Sequence, residues 1–288
     1  DRARKAVQGT QGYAWRVLPP KLMPIAFIAV IAALLYLAAA GIQLANALQR
    51  NTGLSRSVLI LAFFAIGLHL AVTWDNILGP GGVNFGFFPV LSLIFVAVNI
   101  ACLVALTWRP LENLLIVLFP LSAVATITAT MGPDTQTPHA LRPGVALHVG
   151  SSIVAYSLLT LAAMQAALLA AQDAQLRARR FHGPLSVLPP LQLMESMLFE
   201  LLWAGVLALT LSIATGFLFM EDIFAQHLVH KTVLSLVAWI LFSVLLWGRH
   251  SLGWRSQTAV RLTVMGFTIL ALAFMGSKLV LELILERG

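Results

Sequence analysis

Four histidines are the residues of this sequence that are best placed for chemistry. His69 lies within one long apolar run, His148 begins another, and His227 and His230 precede a third. An ionisable side chain inside or beside a membrane-spanning segment is costly, and by default it marks a functional site. Neutral imidazole is also the commonest metal ligand in proteins. We therefore predict that these four histidines bind a cofactor, with helix packing as the alternative role for each of them.

The elements that carry these histidines are predicted from composition and from the lengths of the apolar runs. Of the 288 residues, 59% are hydrophobic and only 10% are charged, whereas a soluble domain has roughly 25% charged residues. A membrane-spanning helix needs about 20 apolar residues. Eight such runs cover residues 24–47, 57–78, 88–108, 111–131, 146–171, 197–219, 232–247 and 259–284. The predicted fold class is therefore all-α, a polytopic membrane helix bundle of about eight transmembrane helices.

The basic residues predict the orientation of this bundle. Loops between an even-numbered run and the next run carry only Arg142 and Lys231. Loops after the odd-numbered runs carry Arg50, Arg56, Arg109, Arg177, Arg179, Arg180, Arg249 and Arg255, and Arg261 lies at the start of the eighth run beside the last of these loops. Loops rich in Lys and Arg stay in the cytoplasm, so both termini are predicted to lie on the periplasmic side of a bacterial inner membrane. The arginines that give the net charge of +7 are too scattered for a nucleic-acid-binding face.

By this topology the four histidines lie toward the outer side of the membrane, which limits the ligands that suit them. Haem iron takes axial histidine, and its porphyrin suits apolar and aromatic walls. A closed zinc site has four ligands that usually include cysteine or carboxylate, but Cys102 is the single cysteine. Ion conduction would need rings of carboxylates or carbonyls, whereas most acidic residues lie at the ends of the runs. Haem is therefore the leading candidate cofactor.

Longer stretches of the sequence resemble a known family. The run LHVGSSIVAYSLLTLAAMQAALLAAQDAQLR, which holds His148 and Tyr156, is similar to the histidine-bearing helix start of the cytochrome c assembly superfamily, the CcsA and CcmC group. Three further stretches resemble the YpjD/HemX-like branch of that superfamily more closely. They are LPPLQLMESMLFE, GFLFMEDIFAQHLVHKTVLSLVAWILFSVLLWGR and GFTILALAFMGSKLVLELI. The resemblance is specific over residues 146–285. It implies a multi-span helical membrane protein that binds or exports haem toward cytochrome c maturation on the outer face.

Two features of the cytochrome-assembly members of that superfamily are missing here. Those members carry a tryptophan-rich WWD segment before the seventh span, where this sequence reads MEDIFAQHLVHK. They also carry a second external histidine after the last span, and GSKLVLELILERG has none. The resemblance therefore implies haem handling, with the matching first histidine at His148, and not a complete platform that presents haem to apocytochrome c.

Two functional hypotheses follow. In the first, the chain is a haem-binding membrane protein in which His148 and His230 are the axial candidates and His69 and His227 are the alternatives. We expect His69, His148 and His230 to point into one cavity. In the second, the chain is an accessory or regulatory membrane subunit linked to divalent-cation transport, because YpjD-like members are encoded beside CorB/CorC-type transport proteins. Expected partners are membrane lipid and apocytochrome c or other membrane proteins, and no nucleophile–base motif or cofactor loop supports an enzyme.

The predicted domain organisation is an N-terminal extension over residues 1–23 and a single transmembrane domain over residues 24–288. The extension is polar and basic, and we expect it to be foreign to the native domain. Glu200 lies near the cytoplasmic end of the sixth run, where a lipid-facing carboxylate is costly unless it is paired or wet. We therefore expect residues 196–219 to pack against neighbouring helices and Glu200 to have a partner. Lys278, inside the last run, is a candidate for binding a haem propionate.

Overall fold

The computed structural model describes residues 22–49, 53–79, 82–132, 141–178, 188–219 and 229–276. Its long helices are α1 (Leu22–Leu48), α2 (Arg56–Ile77), α3 (Phe87–Ala105), α4 (Leu115–Met131), α5 (Pro143–Arg177), α6 (Leu191–Phe219), α7 (Val229–Leu252) and α8 (Gln257–Ala271). A 3₁₀ helix, Glu112–Leu114, leads into α4, and a π-helical segment, Leu272–Gly276, continues α8. Within these ranges eight helices are long and apolar enough to cross a membrane, so the predicted all-α, polytopic fold is confirmed.

The observed helices match the predicted apolar runs in number and order, but several ends differ, most of all the end of α5, the start of α6 and the end of α7. The long helices α5 and α6 show the largest differences. These helices have 35 and 29 residues. At 1.5 Å per residue they are about 52 Å and 43 Å long, well beyond a hydrocarbon core of about 30 Å. The extra turns are held by polar contacts. The Gln172 side-chain amide donates to the carbonyl of Pro189 at 3.1 Å, and Arg177 pairs with Asp173 at 3.2 Å.

Proline and glycine set several of the helix boundaries. Pro143 stands in the first turn of α5, where the missing N–H has no helical partner to lose. Between α2 and α3 a short hairpin pairs β1 (Leu78–Gly79) with β2 (Gly82–Val83) in antiparallel register. Gly82 takes a φ of 127°, which a residue with a Cβ rarely adopts. A proline and a glycine therefore stand where α5 and β2 begin.

The helices pack as two groups of four, α1–α4 and α5–α8, and α3 and α5 contact each other across the two groups. The α5–α6 pair makes the most extensive contact. Glycine permits this close approach, because a Cβ at Gly205 would lie 2.7 Å from Cδ2 of Leu159. The largest fully buried side chains are Tyr36, Phe119 and Phe242. Close packing at small residues is how membrane helices associate without a hydrophobic driving force between them.

Ion pairs lie at the arginine-rich end of the bundle. The guanidinium of Arg109 donates two hydrogen bonds to the Glu200 carboxylate, from Nε to Oε2 at 2.8 Å and from Nη2 to Oε1 at 2.6 Å. Arg249 pairs with Glu195, and its guanidinium lies 4.7 Å from the ring centroid of Phe199. Both carboxylates belong to α6. The predicted packing of α6 and the predicted partner for Glu200 are therefore confirmed.

The other end of the bundle holds the starts of α3, α5 and α7 and the ends of α2, α6 and α8. This end is the one predicted to face the periplasm, because the arginines lie at the opposite end. Of the predicted N-terminal extension, only residues 22 and 23 belong to the described part of the chain, and both are within α1.

Candidate functional site

A cavity of about 360 Å³ lies at the end of the bundle opposite the ion pairs. Its walls come from the first turns of α3, α5 and α7, from the last turns of α6, and from the junction of α8 with the π-helical segment. Its polar lining residues are His148, Ser152, Tyr156, Ser212, Lys231, Thr232 and Ser235. Small-molecule sites usually measure about 300–1,000 Å³ and are mostly apolar with a few polar groups. The cavity fits this description.

His148, near the start of α5, places its ring against α6. Its Nδ1 lies 2.8 Å from the backbone carbonyl oxygen of Ser212. A carbonyl oxygen only accepts hydrogen bonds, so in the neutral imidazole Nδ1 carries the proton and Nε2 carries the lone pair. Metal-binding histidines commonly donate their other ring N–H to a carbonyl or carboxylate, which fixes the tautomer and raises the basicity of the ligand nitrogen. Nε2 of His148 is therefore prepared as a ligand atom.

Hydroxyl groups join α5 to α6 beside this histidine. Ser152 Oγ lies 2.6 Å from Ser212 Oγ and also donates to the carbonyl of His148 at 2.7 Å. The adjacent Ser151 places its Oγ 3.5 Å from Oγ1 of Thr215, about one turn after Ser212 on α6. Hydrogen bonds of this kind fix the relative rotation of two membrane helices. They hold the backbone carbonyl of Ser212 in reach of the imidazole.

An aromatic pair forms another part of the wall. The Tyr156 hydroxyl donates to the carbonyl of Leu270 at 2.6 Å, and the Tyr156 ring lies 5.6 Å from that of Phe274. The bond falls where α8 gives way to the π-helical segment. Single π-helical turns occur frequently at functional sites. This hydrogen bond ties α5 to the end of α8 and closes one side of the cavity.

His69 belongs to a separate, fully buried network. Its Nδ1 lies 3.2 Å from the Tyr36 hydroxyl, and its Nε2 lies 3.0 Å from Ser92 Oγ. Ser92 Oγ is in turn 2.7 Å from Thr73 Oγ1. In a neutral imidazole one nitrogen donates and the other accepts, and here both are engaged. Neither nitrogen of His69 is open to a metal while this network is intact.

The predicted histidines thus have different locations. His148 lines the cavity, whereas His69 and His230 are not among its described lining residues. His230 is exposed in the first turn of α7. The expectation that these three side chains point into one cavity is therefore wrong, because His69 turns toward α1 and α3 instead. His227 lies outside the described residues, and the pairing of His148 with His230 as axial ligands stays a prediction.

Lys231 gives the cavity wall its positive charge, and the described lining residues include no carboxylate. Lys278, which the sequence suggested for a propionate, lies outside the described residues. Within the ranges that the structure describes, no group of three or more His, Cys, Asp or Glu side chains is arranged to hold a metal ion. Among its described lining residues the site offers one imidazole in an apolar wall, and no observation there favours divalent-cation transport.

Three residues of the site were missed by the sequence-based prediction. Ser212 and Gly216 lie one helical turn apart on α6, and spacing of small and hydroxyl residues is the usual sign of close helix packing. That pattern predicts a contact, but it does not identify His148 as the partner. Lys231 was interpreted only as a topological charge. Its position one residue after His230 was the signal that could have placed it near a site.

The fold and the cavity define a class of protein, a multi-pass helical membrane protein with one histidine at the wall of an apolar cavity. A family model described as "Cytochrome C assembly protein" matches residues 52–285. The chain therefore belongs to the cytochrome c assembly protein family, as the sequence resemblance predicted.

Individual relatives agree with this assignment. The chain is 32% identical over 265 residues to a protein of Escherichia coli K12 named "Inner membrane protein YpjD", covering 91% of this chain and 100% of the relative. It is 30% identical over 195 residues to a protein of Azospirillum brasilense named "Uncharacterized 28.8 kDa protein in nifR3-like 5'region", covering 67% of this chain and 71% of the relative. No solved structure matches the chain. The predicted multi-pass location in a bacterial inner membrane is confirmed.

Proposed function

We propose that the protein binds haem in this cavity, with Nε2 of His148 as a ligand to the iron. The observation that carries the proposal is the 2.8 Å hydrogen bond from Nδ1 of His148 to the carbonyl of Ser212. This hydrogen bond leaves the lone pair on Nε2, and it fixes the direction of that lone pair by holding the opposite nitrogen, Nδ1, in place. A histidine that only packs needs no such nitrogen, and His69 in the same protein engages both of its own.

The walls of the cavity support a porphyrin as the ligand. They include the aromatic rings of Phe85, Tyr156, Phe217 and Phe274, and haem sites combine apolar walls with an axial histidine. A bare divalent cation would instead need several oxygen or nitrogen ligands, which the described residues do not bring together.

Haem supplies an iron centre that takes axial ligands and exchanges electrons. In the proposed function this chain's own residues bind and orient it. His148 provides the ligand nitrogen, the hydroxyl pair of Ser152 and Ser212 keeps α5 on α6, and the apolar wall excludes water. We propose haem binding and handling without catalysis by this chain. Apocytochrome c or another membrane protein is the proposed partner, which would act at the end of the bundle that holds the cavity.

The test is an absorbance spectrum of the protein purified in detergent and reconstituted with haem. We expect a Soret band from a stoichiometric complex, and we expect His148→Ala to lose it because the ligand nitrogen is gone. His250→Ala is the matched control, since His250 is exposed near the other end of α7. That variant should keep the full band.

A third variant, His230→Ala, tests the predicted axial pair. If His230 is the second ligand, the spectrum changes from low spin to high spin, and if it is not, the spectrum stays as in the wild type. The proposal itself is overturned by a wild-type protein that takes up no haem, or by a Soret band that His148→Ala leaves unchanged.

A further inference from the structure

Gly216 stands four residues after Ser212 on α6, directly beside the ring of His148. In an α-helix the carbonyl of one residue accepts from the amide four residues on, and the side chain of that later residue lies over the preceding turn. A Cβ at Gly216 would lie 3.1 Å from both Cε1 and Nδ1 of His148. The imidazole therefore occupies space that the side chain of any other residue would fill.

We propose that Gly216 is a positioning residue, which leaves the Ser212 carbonyl uncovered so that the imidazole of His148 can reach it and adopt the Nδ1–H tautomer. The consequence for haem rests on the proposed function. The tautomer is a property of the protein without ligand, so the positioning role can be measured separately.

The surrounding contacts allow the position of the His148 ring to change while the protein still folds. The Ser212 carbonyl also accepts from Thr215 Oγ1 at 3.0 Å, so it keeps a donor when the imidazole moves away. Ser152 Oγ and Ser212 Oγ remain in contact at 2.6 Å, and this pair does not involve the ring. A shift of His148 therefore leaves the Ser212 carbonyl with a hydrogen-bond donor. An unsatisfied buried acceptor, which would be the costliest result, does not arise.

Gly216→Ala is the smallest change that tests the proposal. Carbon atoms in contact usually lie about 3.5–4.0 Å apart, so a methyl group 3.1 Å from two ring atoms pushes the ring of His148 away by a small fraction of its hydrogen-bond length. The displaced ring loses the good geometry of its bond to Ser212, and the proton is then free to move to Nε2. Disturbing the outer hydrogen bond of a ligating histidine typically lowers metal affinity roughly 10–100-fold, and we expect a loss of haem affinity in that range.

The experiment combines two measurements on Gly216→Ala, with Gly150→Ala as the matched control. Gly150 lies two residues after His148 on α5, and a Cβ there would meet nothing within 4 Å. Nitrogen-15 NMR of ring-labelled histidine in haem-free protein reports the tautomer, and His148→Gln assigns the signal. We expect the Nδ1–H form in the wild type and in Gly150→Ala, and its loss in Gly216→Ala. Haem titration should show weakened binding in Gly216→Ala alone.

The possible outcomes distinguish the two proposals. If Gly216→Ala changes the tautomer but no variant binds haem, the positioning role stands and the proposed function fails. If haem binds through His148 while Gly216→Ala leaves tautomer and affinity unchanged, the positioning role is overturned and the proposed function stands. If Gly216→Ala does not fold, adding His148→Ala removes the clashing ring and should restore folding. A double variant that also fails to fold would mean that Gly216 serves helix packing, and the proposal would be wrong.

Discussion

His69 and His148, two of the described histidines, both contact other helices but differ in what their ring nitrogens meet. Both nitrogens of His69 meet side-chain hydroxyls, from Tyr36 on α1 and from Ser92 on α3. His148 has one nitrogen on a backbone carbonyl and lines a cavity with the rest of its ring. Burial of a histidine in a membrane helix bundle is therefore not enough to predict that the histidine binds a metal or cofactor. The hydrogen-bonding state of the second nitrogen separates a structural histidine from one that is ready to bind metal.

Replacing His69 by alanine should destabilise the fold without removing haem. The buried Tyr36 hydroxyl would lose its partner, and leaving a buried polar group unsatisfied costs about 1–3 kcal/mol. Thermal unfolding in detergent should show a lower midpoint for His69→Ala, while the Soret band of the folded variant matches the wild type. His250→Ala again serves as the control, with an unchanged midpoint. Loss of the band from folded His69→Ala protein would assign His69 to the haem site instead.

At the scale of helices, the sequence predicted the number and type of elements because each apolar run is long enough to span the membrane. It missed the extra turns of α5 and α6, since residues such as Gln172 and Asp173 are polar and their helical state depends on contacts with distant segments. Gln172 bonds to the carbonyl of Pro189, and Asp173 accepts from Gln257 at 3.3 Å. Hydropathy predicts which residues lie within the membrane. It does not predict where a helix ends once the chain has left the membrane.

The site was predicted only in part for a related reason. Sequence position gives the depth of a histidine along its helix, but successive residues differ by about 100° around the axis at 3.6 residues per turn. The direction of each side chain therefore depends on which helices are neighbours. The partners of His69 are on α1 and α3, and the partner of His148 is a backbone carbonyl of α6 with no side-chain signature. The sequence predicted the depth of His148, which lies at the wall of the cavity, but it could not predict its partner on α6.

Gly205 offers a test of the α5–α6 contact that carries the site. A Cβ at Gly205 would lie 2.7 Å from Cδ2 of Leu159, whereas a Cβ at Gly67 on α2 would meet nothing within 4 Å. Overpacking a tight contact costs about 1–3 kcal/mol, so Gly205→Ala should lower the free energy of unfolding by that amount. Gly67→Ala is the control and should be neutral or stabilising, because alanine favours helix over glycine. Equal stability of the two variants, measured by denaturant or thermal unfolding, would argue against the close α5–α6 packing.

At the scale of the whole molecule, the two ends of the bundle carry different chemistry. At one end, two carboxylates of α6 form ion pairs, Glu200 with Arg109 and Glu195 with Arg249. The other end has the cavity with His148 and Lys231. This asymmetry connects the proposed function to the orientation, because the side that the cavity faces decides which compartment could supply a ligand to it.

We predict that both termini, and with them the cavity, face the periplasm. The reason is the concentration of arginines at the opposite end, which the positive-inside rule keeps in the cytoplasm. A reporter that is active only outside the cytoplasm, fused after Gly288, should therefore be active. The same reporter inserted in the segment after α7, beside Arg255, should be silent. The reverse pattern of reporter activity would mean that the protein has the opposite orientation, with the cavity on the cytoplasmic side.

The claim that Nε2 of His148 binds haem iron is tested most directly by chemical rescue. Replacing His148 by glycine removes the imidazole and leaves a space in which free imidazole can take its place. We predict that purified His148→Gly has no Soret band from specifically bound haem, and that added imidazole restores the band in a saturable way. His250→Gly should show the band with or without imidazole. A full band in His148→Gly before any imidazole is added would contradict the account, because haem would then be held without this ligand.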